Sequence, residues 1–161
     1  MSKKMILFIT MALLGVMLAI GVSGIFRVLK VQGDSMAPVL DDGDFALINK
    51  VAYLDDLPKE GDIVAFSCNV YSEDGEGSTL AKRVVAVGGD TVEIKDGDLY
   101  LNGKVFNKYS TEATDLEPLE KMTIETGKVF VLSDHRTAIM DSRNDGVGQL
   151  PVEEIMGKVL K

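Results

Sequence analysis

Apolar and polar positions divide the chain into two unlike parts. Met5 to Phe26 is an uncharged, mostly apolar run of 22 residues. About 20 such residues, at about 1.5 Å rise each, span the hydrocarbon core of a bilayer. Two readings of the run stay open. Its length favours a retained membrane anchor. A cleavable leader is the alternative, because Lys3 and Lys4 give a basic start and Gly21, Ser23 and Gly24 a small-residue exit. Lys3 and Lys4 before the run are nearly balanced by Arg27 and Lys30 after it. The short basic N-terminus (residues 1–4) is expected in the cytoplasm, with everything beyond Phe26 outside.

Beyond Phe26 the period changes. Short runs rich in Val, Ile and Phe predict strands at Asp44 to Val51, Asp62 to Asn69, Thr79 to Val87, Thr91 to Lys95, Leu99 to Leu101, Lys104 to Asn107 and Lys128 to Ser133. Turn residues separate them at Pro58 to Gly61, Glu73 to Gly77 and Gly88-Gly89. Asp96-Gly97 and Asn102-Gly103 are two-residue hairpin signals, so Thr91 to Asn107 predicts a three-stranded meander. Pro151 to Met156 is the one helix expected in this part, short and with proline in its first turn. Lys108 to Thr126 is expected to wander over the surface. The expected architecture is a membrane helix followed by a mainly β domain of antiparallel sheets, with residues 91–127 as a small β insertion.

Residues 27–161 are numerous enough for one domain with a real core. They hold 15 of the 17 basic and all 25 acidic side chains, a net charge of −10. That excludes the basic stripe a nucleic-acid binder needs. Cys68 is the only cysteine, so no intramolecular disulfide forms, and one His with one Cys counts against a transition-metal site.

Two residues carry candidate chemistry. Ser35 lies in Val31-Gln-Gly-Asp-Ser-Met-Ala-Pro-Val-Leu-Asp-Asp-Gly-Asp44, directly after the apolar run. A serine there would meet its substrate at a membrane surface, but a hydroxyl needs a base to become a nucleophile. Lys82 lies in Leu80-Ala-Lys-Arg-Val-Val-Ala-Val87. On a strand, Leu80, Lys82, Val84 and Ala86 point one way and Ala81, Arg83, Val85 and Val87 the other. Apolar neighbours would desolvate the ammonium and favour a neutral amine. An exposed edge-strand lysine that discourages aggregation remains the alternative.

The serine segment resembles the nucleophile box of type I signal peptidases, the membrane-bound Ser/Lys proteases that remove leader peptides. Lys82-Arg-Val-Val-Ala-Val-Gly-Gly-Asp90 resembles their lysine box, and Leu132-Ser-Asp-His-Arg-Thr-Ala-Ile-Met-Asp-Ser-Arg-Asn-Asp-Gly146 their late box. The resemblance implies Ser35 as nucleophile and Lys82 as general base, with Met36 near shallow substrate pockets. It implies that Gly33, Pro38, Arg83, Asp134, Arg136, Asp141, Ser142 and Arg143 support the site. Arg and Asp side chains of the late box are expected to form bidentate pairs, with Arg83 reaching Asp134 or Asp141. No metal or organic cofactor is implied. The implied partners are membrane lipid and secretory preproteins with small residues before the cut, in a short form like those of Gram-positive bacteria.

Five positions depart from the family pattern: Gly88 stands where proline is common and Val39 where threonine is common, and three further ones bear on the chemistry. Gly33 has no hydroxyl to offer an oxyanion. His135 replaces a common asparagine and has no spaced partner for a catalytic role. Ile139 replaces a serine that in the family orients the lysine amine, a task that Ser133 or Ser142 could take over. Two rival readings accompany the peptidase: a non-catalytic relative that binds or organises secreted or pilus subunits, and a self-cleaving protease of the repressor-processing kind.

Overall fold

The computed structural model describes residues 2–68, 78–110, 116–138 and 140–161. The loop Glu73 to Gly77 and Ile139 lie outside them. Helix α1 (Lys3–Ile25) opens the chain, its first turn capped by the Ser2 hydroxyl, which accepts the Met5 N–H at 3.3 Å. None of its residues is buried, and it is long and apolar enough to cross a membrane. Phe26 already belongs to strand β1 (Phe26–Lys30), so no linker separates helix from sheet. The Lys50 amine ties the junction by donating to the Ser23 carbonyl at 2.9 Å.

The remaining strands are β2 (Phe45–Asn49), β3 (Ile63–Cys68), β4 (Ser78–Val87), β5 (Thr91–Lys95), β6 (Asp98–Leu101), β7 (Lys104–Val105), β8 (Leu119–Thr123), β9 (Lys128–Leu132), β10 (Leu150–Pro151) and β11 (Ile155–Leu160). Seven form one antiparallel sheet in the order β1-β2-β11-β3-β4-β9-β10. Four form a second in the order β7-β6-β5-β8. The second contains the expected meander, and both of its dipeptide turns have positive φ at each residue: 53° and 83° at Asp96-Gly97, 52° and 76° at Asn102-Gly103. This is the backbone that favours Asp-Gly and Asn-Gly.

The C-terminal segment differs from expectation. Of the helix over Pro151 to Met156, one 3-10 turn exists at Val152–Glu154. Ile155 onward is β11, which fills the sheet between β2 and β3. Proline and two glutamates suit a helix start locally, but the gap between two strands supplies hydrogen bonds that a lone turn cannot match. Gly157 sits at a bulge in that pairing with φ 154°. A Cβ there would overlap the Asn49 carbonyl oxygen, so the sheet closes only around glycine. The stretch Lys108 to Thr126 likewise holds a strand, β8, whose pairing with β5 is broken by a register shift between Val92 and Ile94.

The lysine strand also departs from simple alternation. A bulge between Val84 and Ala86 reverses the parity of β4. Leu80, Val84 and Val87 therefore share one cluster with Phe66, Val129 and Val131. Val85 and Ala86 pack the other way, against Val92, Ile94 and Leu99 of the smaller sheet. A third cluster, Val31, Met36, Leu40, Ile48 and Val159, fills the space beneath the Ser35 segment.

Candidate active site

The segment after β1 folds back on itself. The Val31 N–H donates to the Asp44 carbonyl at 2.9 Å and the Gly43 N–H to the Val31 carbonyl at 3.1 Å. Gly33, at φ 82°, makes the reversal and donates its N–H to Asp42 Oδ1 at 2.8 Å. Pro38, after a cis peptide bond, turns the chain so that Met36 and Leu40 bridge each other and plug into the core. Ser35 is held between that buried anchor and exposed Asp34. Its own N–H makes no hydrogen bond among the described residues.

Strand β4 brings Lys82 to the serine from the middle of the sheet. Lys82 Nζ donates to Ser35 Oγ at 2.7 Å, across 47 residues of sequence. Lys82 is 2% exposed, so the edge-lysine alternative does not apply. Burial is the main reason its pKa falls to about 8. The Asp141 carboxylate opposes the fall, Arg143 adds to it, and Asp134 again opposes it.

On the opposite face of β4, Arg83 grips Asp134 through both guanidinium edges, Nε to Oδ1 at 2.7 Å and Nη2 to Oδ2. Its Nη1 donates to the Gly61 carbonyl at 2.8 Å. The Tyr109 ring covers the guanidinium at 4.5 Å. The sequence offered no signal for Tyr109, which sits in a polar stretch with φ 63°. Next to Asp134, the His135 N–H donates to the Ser35 carbonyl at 3.1 Å, so the ion pair anchors the segment that holds the serine. The His135 ring meets Asp34 at 3.4 Å and Thr137 at 2.9 Å.

The late segment is a self-contained polar network. Arg143 clamps Asp141 at 2.8 Å through Nε and donates to the carbonyls of Arg136 and Ala138. Asp141 Oδ2 accepts the Ser133 N–H at 2.9 Å, and Ser142 Oγ accepts the Val131 N–H at 2.8 Å. Arg136 differs from the expected bidentate pairing. It is buried, and among the described residues it reaches only the Lys108 carbonyl at 3.4 Å and its Nε has no partner. Burial lowers its pKa to about 10. Asp141 and Asp134, the carboxylates nearest in sequence, are already taken by Arg143 and Arg83.

Ser35 and Lys82 open into a cleft of about 220 Å³ lined by Leu29 to Gln32 on one side and Ser78 to Ala81 on the other, with Met36 at its floor. A larger cavity, about 660 Å³, lies around Lys50, Tyr53 and Gly127 and touches none of the candidate residues. The smaller one holds the candidate pair: a hydroxyl beside a desolvated amine at the edge of a two-walled groove.

The family described as "Signal peptidase, peptidase S26" matches residues 2–160. Thylakoidal processing peptidase 1, chloroplastic, of Arabidopsis thaliana is 39% identical over 138 residues, covering 80% of this chain and 39% of that protein. The chain thus spans well under half of that relative's length. Signal peptidase I T of Bacillus subtilis (strain 168) is 36% identical over 146 residues, covering 83% of this chain and 71% of that one. The crystal structure of a signal peptidase I from Enterococcus faecalis V583 superposes with a TM-score of 0.50 at 28% identity, covering 65% of this chain and 97% of the other. An apolar N-terminal helix followed by antiparallel sheets agrees with these matches, and the chain belongs to the signal peptidase family, peptidase S26.

Proposed function

We propose that the chain is a membrane-anchored serine endopeptidase that removes leader peptides from exported proteins. The observation that carries the reading is the 2.7 Å contact between Ser35 Oγ and a lysine amine buried at 2% exposure. With a pKa of about 8, about a tenth of Lys82 is neutral at neutral pH. An ordinary lysine would be neutral about 300 times less often. The neutral amine takes the Ser35 proton as the oxygen attacks the scissile carbonyl, then delivers it to the leaving amine. Water, deprotonated by the same amine, releases the acyl group from Ser35. The Ser35 N–H, unpaired among the described residues, is the donor for the tetrahedral oxyanion, a load that Gly33 cannot share through a side chain.

The groove suits an extended peptide. Its walls are the ends of β1 and β4, and a strand laid between them would gain main-chain hydrogen bonds on both sides. Leu29 follows the end of α1 by four residues, at most about 13 Å of extended chain. The cleft therefore opens near the membrane boundary, where the end of a leader peptide emerges. The apolar helix is the anchor, with residues 1–4 cytoplasmic, residues 27–161 outside, and secretory preproteins and lipid as partners.

Cleavage of a membrane-embedded leader substrate with small residues before the cut, by the full chain in detergent, tests the activity. Ser35→Ala and Lys82→Met should each abolish it, and the double variant should be no worse, because a catalytic unit does not lose its parts additively. Near-normal turnover by Lys82→Met would refute the mechanism. An intact wild type that never cleaves but retains secreted or pilus subunits would favour the binding-only reading. For orientation, a cysteine at exposed Asp55 should react with an impermeant thiol reagent added outside intact cells. Reaction only after lysis would reverse the topology.

A further inference from the structure

The cavity around Lys50 lies at the foot of the apolar helix. The Lys50 N–H donates to the Ile25 carbonyl at 2.8 Å, and the Lys50 amine to the Ser23 carbonyl at 2.9 Å. Both carbonyls belong to the last turn of α1, whose 23 residues reach about 35 Å at about 1.5 Å each. A hydrocarbon core is about 30 Å thick, so a spanning α1 ends at the level of the lipid headgroups. The cavity holds about 660 Å³, the size of a small-molecule site.

Its lining is unlike the rest of the domain. Residues 27–161 carry a net charge of −10, yet the charged side chains lining the cavity are Lys50, Lys128 and Glu153, a net +1. Asp55, Asp56 and Glu125, the acidic groups close by in sequence, do not line it. Lys128 pairs with Glu125 at 2.8 Å, but that carboxylate is 64% exposed and such a surface pair gives way at little cost. Lys50 spends one of its three donors on Ser23 and keeps two. Leu54 lines the cavity at 74% exposure, and Val51 and Leu57 in the same connection between β2 and β3 are also exposed. Apolar side chains bared beside two amines suit a ligand with acyl chains at one end and a phosphate at the other.

We infer that this cavity binds an anionic phospholipid: Lys50 and Lys128 hold its phosphodiester, and Leu54 and Leu57 lie against its acyl chains. A single negative charge on the lipid matches the net +1 of the lining, whereas a zwitterionic headgroup leaves that charge unmatched. The inference rests on the reading of α1 as a membrane anchor and not on the chemistry of Ser35 and Lys82. Lys50 follows β2 and Lys128 opens β9, so a bound lipid ties both strands to the bilayer in addition to α1.

The test uses the full chain in non-ionic detergent with labelled lysine side chains, the Lys50 and Lys128 signals being assigned by their loss in Lys50→Gln and Lys128→Gln. The probes are dihexanoyl phosphatidylglycerol, dihexanoyl phosphatidylcholine and glycerol phosphate. Phosphatidylglycerol should shift both signals saturably and leave that of Lys104, on the smaller sheet, in place. Lys128→Gln should weaken the binding about fivefold, the worth of one lysine beside an anionic lipid. Glu153→Gln removes the opposing charge and should strengthen it about two- to fivefold. Lys50→Gln also loses the bond to Ser23, so the other two variants carry the test. Equal shifts with phosphatidylcholine would show a cavity blind to charge. Equal binding of glycerol phosphate would show a site for a soluble phosphate ester, and wild-type affinity in Lys128→Gln and Glu153→Gln a site elsewhere. Each of these overturns the inference. Release of the chain from membranes by alkaline carbonate would instead sink the anchor reading, whatever the lysine signals do.

Discussion

Replacing Lys82 by methionine should make the β domain more stable while removing its chemistry. The folded protein holds this amine at 2% exposure with a pKa of about 8, against 10.5 for a free lysine. A shift of that size corresponds to about 3 kcal/mol spent on keeping the ammonium in the fold. The sign follows from proton counting. Between about pH 8 and 10.5 the unfolded chain binds more protons than the folded one, so stability rises with pH across that window. The whole cost is present below about pH 8. Methionine has a similar length and no charge, so it removes the cost but forfeits the bond to Ser35 Oγ, about 1 kcal/mol. Lys82→Met should therefore be about 2 kcal/mol more stable than wild type near pH 6 and about 1 kcal/mol less stable above about pH 10.5, where only the lost bond remains. Denaturant unfolding of the full chain in detergent, followed by tyrosine fluorescence at both pH values, reads this directly. A variant less stable by the same amount at every pH would show that Lys82 is neither desolvated nor depressed in pKa.

Cleavage by the wild type should rise with pH through about 8, where Lys82 loses its proton, and a limb near the ordinary lysine value would contradict the burial argument. Asp134→Ala leaves Arg83 buried without its carboxylate. It should cost about 3–5 kcal/mol in thermal unfolding and slow cleavage by loosening the segment that holds the Ser35 carbonyl. Gly157→Ala forces a methyl group into the Asn49 carbonyl at a positive φ, and should lower stability by about 2 kcal/mol or more in the same assay. Wild-type stability in Gly157→Ala would mean that β11 can shift in the sheet.

Local signals accounted for most of the strands. Seven short apolar runs became β2 to β7 and β9 with small changes at their ends, and both hairpin dipeptides turned where their chemistry requires. What escaped was set by distant partners. β11 reads as a helix start from Pro151 and two glutamates, and only the gap between β2 and β3 makes it a strand. β1 disappeared into the apolar run that precedes it, and a bulge at Val85 reversed a face that strict alternation had assigned. At the site, three ordered boxes singled out Ser35 and Lys82, which the fold brings together, and left Arg83 a choice between Asp134 and Asp141 that the fold makes in favour of Asp134. Tyr109 and the lack of a carboxylate partner for Arg136 among the described residues were not, because each depends on how the fold distributes neighbours: Arg83 takes the ring and Arg143 takes the carboxylate. Gly33 was read for the hydroxyl it lacks, and the structure adds the reversal it permits at φ 82°.

The central claim is that Ser35 is a nucleophile made reactive by Lys82. The most direct measurement is mass spectrometry of the full chain after treatment with a serine-directed acylating inhibitor that opens on attack. The account predicts one adduct per chain, on the peptide carrying Ser35, absent from Ser35→Ala and formed far more slowly in Lys82→Met at neutral pH. An adduct on another residue, or one on Ser35 that forms as fast without Lys82, would contradict it.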